Sequence, residues 1–240
     1  MKRPFFSVPM LLAASFVGIM IWDASGFDLA MALPLGGPKG FPLRNAWLLT
    51  TVLHTGGLIT SWALAVWICI GVWLPSGPLV RLDLRQRLQL AITPMVVVLA
   101  VSTLKAFSTT SCPWHLTAFG GAAQWVSHWT FGSSGDGGPG HCFPAGHAAA
   151  GFAFIGGYFV FRERDPFTAR AWLLSALLAG FLLGGAQQVR GAHFMSHTLW
   201  TAWICACGAW LVDLAAGLLR QAAASRSAVR LQLEGPSLLD

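Results

Sequence analysis

The chain has 240 residues, 55% of them hydrophobic and only 10% charged, with a mean hydropathy of +0.62. Soluble domains carry about 25% charged residues, so a soluble globular fold is excluded as the default and a polytopic membrane protein takes its place. The formal charge of +6 does not point to a nucleic-acid partner, because the 15 Lys and Arg form short clusters between apolar runs rather than one patch. The 12 Trp fit the same reading, since indoles favour membrane interfaces.

Six apolar segments follow one another, over residues 5–22, 46–73, 88–107, 147–161, 171–187 and 196–219. Each is near the ~20 residues needed to cross about 30 Å of hydrocarbon. Only helices or closed barrels satisfy backbone groups there, and these continuous runs lack the alternation of barrel strands. The expected fold is all-α: a polytopic six-transmembrane-helix bundle over residues 1–220, then a poorly ordered tail over 221–240 with a weak amphipathic stretch at 229–233. Met1-Lys2-Arg3 precedes the first segment, but no small-x-small cleavage site follows before Asp23, so this segment reads as a retained anchor. Residues 23–44 mix apolar residues with Gly and Pro, and read as an outer-surface stretch with a short interfacial helix. Residues 133–140, Ser-Ser-Gly-Asp-Gly-Gly-Pro-Gly, read as a flexible loop. No internal repeat is evident, which argues against a transporter built from inverted halves.

Charge fixes the orientation. Lys2, Arg3, Arg81, Arg85, Arg87, Arg162, Arg164, Arg170, Arg220, Arg226 and Arg230 fall on one side, eleven in all, against Lys39, Arg44, Lys105 and Arg190 on the other. The positive-inside rule then puts both termini in the cytoplasm. The same topology brings three clusters to the outer face. Lys105 closes the third segment, followed after six residues by Cys112-Pro113-Trp114, where the proline fixes a turn. Cys142-Phe143-Pro144-Ala145-Gly146-His147 opens the fourth, where free helix-start N–H groups and a dipole end suit an anion beside a titratable histidine. Arg190-Gly191-Ala192-His193-Phe194-Met195-Ser196-His197 opens the sixth, with spacings that place Arg190, His193 and His197 on one face of a helix.

Taken singly, these clusters have plain structural readings: a lysine anchored at the interface, a snorkelling arginine, histidines as polar caps. Three of them on one face of the membrane favour function, and their chemistry suits phosphate: a guanidinium and an ammonium to hold oxygens, an imidazole to attack phosphorus. His-x-x-x-His also matches a zinc hydrolase, which needs an interposed glutamate as base. Here Phe194, Met195 and Ser196 stand between, and Glu163, one of only two glutamates, falls on the other side.

In order and spacing the clusters resemble the type 2 phosphatidic acid phosphatase and vanadium haloperoxidase superfamily, in its membrane-bound lipid phosphatase branch. The pattern Lys-x6-Arg-Pro, Pro-Ser-Gly-His, Ser-Arg-x5-His-x3-Asp aligns with Lys105, Pro113, Pro144-Ala145-Gly146-His147 and His193. Arg-Gly-Ala-His-Phe-x-Ser looks like the stretch around the family's nucleophilic histidine. The resemblance implies that His193 attacks phosphorus to form a phosphohistidine and that His147 protonates the leaving group, then activates water. Lys105 and the Gly146 amide would hold the phosphoryl oxygens, with no metal or other cofactor. Four positions depart from the pattern: Cys112 for the first arginine, Ala145 for the serine, Gln187 for the second arginine and His197 for the aspartate that orients the nucleophile. Arg190 can supply a cation from one turn away, Gln187 a neutral hydrogen bond, and His197 a neutral acceptor for His193. A second register makes His197 the nucleophile, Arg190 the clamp and Thr201 the relay residue.

Cys112 and Cys142 both fall on the outer face, each directly before a motif half, and an oxidising compartment would allow a disulfide between them. Cys69, Cys205 and Cys207 read as small core residues. His115, His128 and His141 have no spacing that assigns a role. His54, beside Thr55-Gly56-Gly57, is an intramembrane histidine for which a helix–helix hydrogen bond is expected. The expected function is phosphate ester or diphosphate hydrolysis on a membrane lipid at the periplasmic face of a bacterial inner membrane, with no obligate protein partner. The alternatives are a lipid phosphotransferase, a non-catalytic lipid-phosphate binder and the zinc-dependent hydrolase.

Overall fold

The computed structural model describes residues 7–129 and 135–234, with side chains described to residue 227. Met1-Lys2-Arg3 and Ser133-Ser134 lie outside the described residues, as do the side chains of the 229–233 stretch. Helices form all of the regular structure among the described residues, apart from two isolated bridges in loops.

Seven helices carry the architecture: α1 Val8–Ser25, α2 Phe27–Ala32, α3 Leu48–Ile70, α4 Leu84–Phe107, α5 Gly146–Phe161, α6 Pro166–Val189 and α7 Met195–Glu234. Five of them, α1, α3, α4, α6 and α7, are long and apolar enough to cross a membrane. α5 corresponds to the fourth apolar segment and is shorter, with a tight 3-10 turn at Ala153–Ile155. The 23–44 stretch holds the short helix α2 and a series of turns. α7 runs on through the tail to Glu234.

Local chemistry sets the ends. Asp83 caps α4 in a reciprocal box with Gln86, accepting from its N–H at 2.9 Å while the Gln86 side chain accepts from the Asp83 N–H at 3.1 Å. Asp165 caps α6 ahead of Pro166, a residue suited to the first helical position. Gly26, at φ +73°, turns the chain sharply from α1 into α2. The first part of α3, Leu48–Gly56, is π-helical, and Thr55 Oγ1 donates to the Thr50 carbonyl five residues back at 3.2 Å.

α5 is the centre of the bundle, packed against α4, α6 and α7. Backbone proximity explains its glycines: a Cβ on Gly151 would stand 2.2 Å from the Gly180 nitrogen, so α5 and α6 meet as small residues allow. Phe152 and Phe161, with Leu90, Val97, Val101 and Cys205, fill the core around it. The outer surfaces of α1 and α3 stay apolar and exposed, as for helices that face lipid. This is an all-α, multi-pass membrane architecture.

The two ends of the bundle differ chemically. At one end Arg81 pairs with Asp165, Arg164 with Asp83 at 3.2 Å, and Arg162 with the buried Asp213 at 2.8 Å. Gln89 ties Asp213 to Arg220, donating to the former at 3.0 Å and accepting from the latter at 3.2 Å. At the other end Ala32, Phe41, Leu116, Phe119, Ala123 and Phe194, the last of them next to His193, form a second small core.

Candidate active site

The segment after α4 and the segment before α5 are laced together. His141 and Cys142 donate their N–H groups to the Ser108 and Thr110 carbonyls at 2.8 and 3.0 Å, and the Phe143 N–H donates to Ser108 Oγ at 3.3 Å. Cys112 and Cys142 form a disulfide, with Cα atoms 5.1 Å apart and 30 residues between them in sequence. The result fixes the Lys105 end of α4 against the His147 start of α5. A Cβ on Gly146 would lie 3.7 Å from Lys105 Cδ, so the lysine stem runs over the first residue of α5.

Arg190, His193 and His197 do not share one helix. α6 ends at Val189, Arg190 caps it, and Gly191 at φ +75° reverses the chain before α7 starts at Met195. A side chain at Gly191 would also strike the Phe41 ring, at 2.3 Å. A turn thus does what the helical spacing was expected to do: His193 Nδ1 lies 3.4 Å from His197 Nδ1, and both rings are buried. One of the two nitrogens must donate. If His193 donates, His197 accepts there and carries its own proton on Nε2, and His193 Nε2 keeps its lone pair. Burial holds the His193 imidazole well below the usual histidine range, and the nearby His197, Lys105 and His147 push it the same way. His193 is therefore a neutral base near pH 7.

The other expected residues are partly committed elsewhere. The Ala145 N–H donates to the His197 carbonyl at 3.3 Å, so of the helix-start amides this one is already committed. Gln187 is buried and its Oε1 accepts from Arg190 Nη1 at 3.0 Å, while its Nε2 has no partner among the described residues. Arg190 also donates through Nε to the Arg44 carbonyl at 2.9 Å. Thr201 Oγ1 lies 2.7 Å from the His197 carbonyl and 3.2 Å from that of Ala145, so it serves backbone rather than the imidazole. His54 lies against His147, ring centroids 4.0 Å apart and planes tilted by 36°, and makes no side-chain hydrogen bond among the described residues.

Residues 87–217, more than half of the chain, match the family model described as PAP2 superfamily. The chain belongs to the PAP2 superfamily. Phosphatase chemistry on phosphate esters is what that superfamily membership carries. Searches of curated proteins and of solved structures return no match to the chain.

Several residues around this candidate site were not legible as motifs. Asp136 is buried in the loop between α4 and α5 and accepts from the Ser111 N–H at 2.6 Å and the Ser111 hydroxyl at 2.8 Å. Asp28 accepts from the Ser196 N–H at 2.9 Å and from the Ser196 hydroxyl, capping the start of α7 between the two histidines. His128 stacks on Phe143 at 4.1 Å and stands perpendicular to His197 at 5.8 Å. The available signal was charge: the chain has only nine acidic residues, and charge counting groups Asp23, Asp28 and Asp136 on the same side as the histidine clusters.

Cys142, His193 and His197 also bring potential metal-ligand atoms within 4.8 Å of one another. With Cys142 in the disulfide its sulfur is no thiolate, and two imidazoles remain, fewer than the three protein ligands usual in a catalytic zinc site.

Proposed function

We propose that this protein removes phosphate from a membrane lipid, a phosphomonoester or a diphosphate, through a phosphohistidine at His193. The site would face the periplasm of a bacterial inner membrane, with both termini in the cytoplasm. In the first step His193 Nε2 bonds to phosphorus as the P–O bond to the leaving group breaks, and that oxygen takes a proton from His147. In the second, His147 takes a proton from water, the water oxygen bonds to phosphorus, and the P–N bond breaks to release phosphate. Lys105, Arg190 and the Gly146 N–H stabilise the charge that spreads over the phosphoryl oxygens. These fixed cations supply what a metal would otherwise bring.

The observation that carries the lipid reading is an apolar cavity of about 340 Å³ between α3, α4 and α5. Trp62, Val66, Met95 and Val98 line it, and it ends at Lys105 and Gly146. A chain lying there would place its phosphorylated end at the histidines. Each buried CH₂ contributes roughly 0.8 kcal/mol, so a tail of several carbons is enough to separate lipid from soluble substrates.

Phosphate release in detergent with EDTA tests this, comparing phosphatidate and an isoprenyl diphosphate with a soluble aryl phosphate. We expect kcat/KM for at least one lipid to exceed that for the soluble ester by about 100-fold or more. Equal values would remove the role of the cavity. No release by folded protein would leave a lipid-phosphate binder.

The lowered proton affinity of His193 adds a pH prediction. Its imidazole stays unprotonated below the ordinary histidine value of about 6.5, so the acid limb of kcat/KM due to this residue lies below that value. A profile from roughly pH 4 to 8 reads it; an acid limb at or above the ordinary value that persists with a substrate of fixed charge would contradict a neutral His193.

A further inference from the structure

The superfamily pattern has a carboxylate that orients the nucleophilic histidine, and here that position is His197. A carboxylate nevertheless reaches this corner from the other end of the chain. Asp23 sits in the last turn of α1, and its side chain is only 8% exposed. Three donors converge on Oδ2: His128 Nε2 at 3.2 Å, Trp129 Nε1 at 2.9 Å and Trp200 Nε1 at 2.8 Å. Trp200 lies three residues after His197 on α7, so Asp23 is tied to the same helix turn that carries this histidine. Oδ1 is buried with no hydrogen-bond partner among the described residues. Asp23, His128 and His197 together line one small cavity of about 30 Å³.

An unpartnered carboxylate oxygen in a buried site is costly unless it meets positive charge or a proton donor. Asp23 makes no hydrogen bond to His197 among the described residues and reaches it through His128, whose ring stands perpendicular to the His197 ring at 5.8 Å. If His193 donates Nδ1–H to His197, the His197 proton is on Nε2, and developing charge on the pair during P–N bond formation is best met by a nearby carboxylate. None of these residues belongs to a motif, and 170 positions separate Asp23 from His193 in sequence.

We propose that Asp23, held by His128 and Trp200, is a positioning residue: the carboxylate that, through His128, offsets the charge developing on the His193–His197 pair. The inference rests on the phosphohistidine reading, so His193→Ala is the control in the same assay. If that variant keeps wild-type turnover, the site reading fails and this inference with it. If it is inactive, Asp23 is tested by itself.

Asp23→Asn keeps the size and removes the charge. Turnover of the best lipid phosphate should fall about 30-fold in kcat with KM within twofold, because the carboxylate acts in the transition state and touches no substrate. Asp23→Glu should recover part of the loss. The detergent melting temperature should stay within a few degrees of wild type in both. Wild-type kcat in a folded Asp23→Asn protein would overturn the proposal, as would a raised KM with kcat unchanged. If Asp23→Asn does not fold, His128→Ala, in a loop, carries the test: a kcat loss of about tenfold is expected, and no loss would refute the relay.

Discussion

His193→Ala should lower phosphate release by at least about a thousandfold, with EDTA present throughout. The magnitude follows from the role. A nucleophile that forms the covalent intermediate cannot be bypassed by its neighbours, and loss of one member of such a constellation typically costs three or more orders of magnitude. The geometry allows little compensation. His197 has its Nδ1 turned toward His193 at 3.4 Å and is itself buried. His197→Ala removes the acceptor that sets the His193 tautomer, and a smaller loss of about 10- to 100-fold is expected. The alternative register predicts the reverse order, with His197→Ala inactive and His193→Ala merely slow. Measuring both variants on one lipid substrate, with circular dichroism to show that each is folded, decides between them. If both retain wild-type turnover, neither register describes this protein.

Opening the Cys112–Cys142 disulfide should cost both stability and activity. The bridge closes a loop of 30 residues, for which the chain-entropy argument gives about 3–4 kcal/mol. In a chain of this size that is on the order of 10 °C in melting temperature. Activity should fall as well, because the bridge joins the ends of the two segments that hold Lys105 over Gly146. The backbone bonds from His141 and Cys142 to Ser108 and Thr110 remain, so the loss should be partial, about tenfold rather than complete. A Cys112→Ser/Cys142→Ser variant and reductant-treated wild type should agree. Alkylation followed by mass spectrometry gives the redox state directly. An unchanged melting temperature after verified reduction would show that the paired backbone alone holds the site.

The membrane class, the helix-rich fold and the order of the motifs were legible in the sequence because they depend on local properties. Hydropathy over about 20 residues reports on spanning length whatever the tertiary contacts. Spans read from composition fall close to the observed helices, with ends displaced by the caps: Asp83 starts α4 earlier than the apolar run does, and Asp165-Pro166 does the same for α6. The cationic and histidine clusters were legible too, since each sits beside a span and topology assigns its face.

What the tertiary structure decided is everything that needs a non-local partner. The spacing of Arg190, His193 and His197 fits a helix, but Gly191 at φ +75° breaks it, so the histidines meet across a turn. His54 was expected to bond across helices and instead meets the tilted ring of His147, a contact set by how α3 lies against α5. His128 and Asp136 lay in a loop that composition could describe only as polar and glycine-rich. Asp23 and Asp28 lay more than a hundred residues from His128 and Ser196, the partners they meet. Hydrophobic period and local propensity carry no information about such pairings. The sequence by itself determined the membrane architecture and the chemical types available at the histidine end of the bundle; packing of α1 and the loops against α7 decided which carboxylates and imidazoles stand together, because a buried charge finds its partners only through the fold.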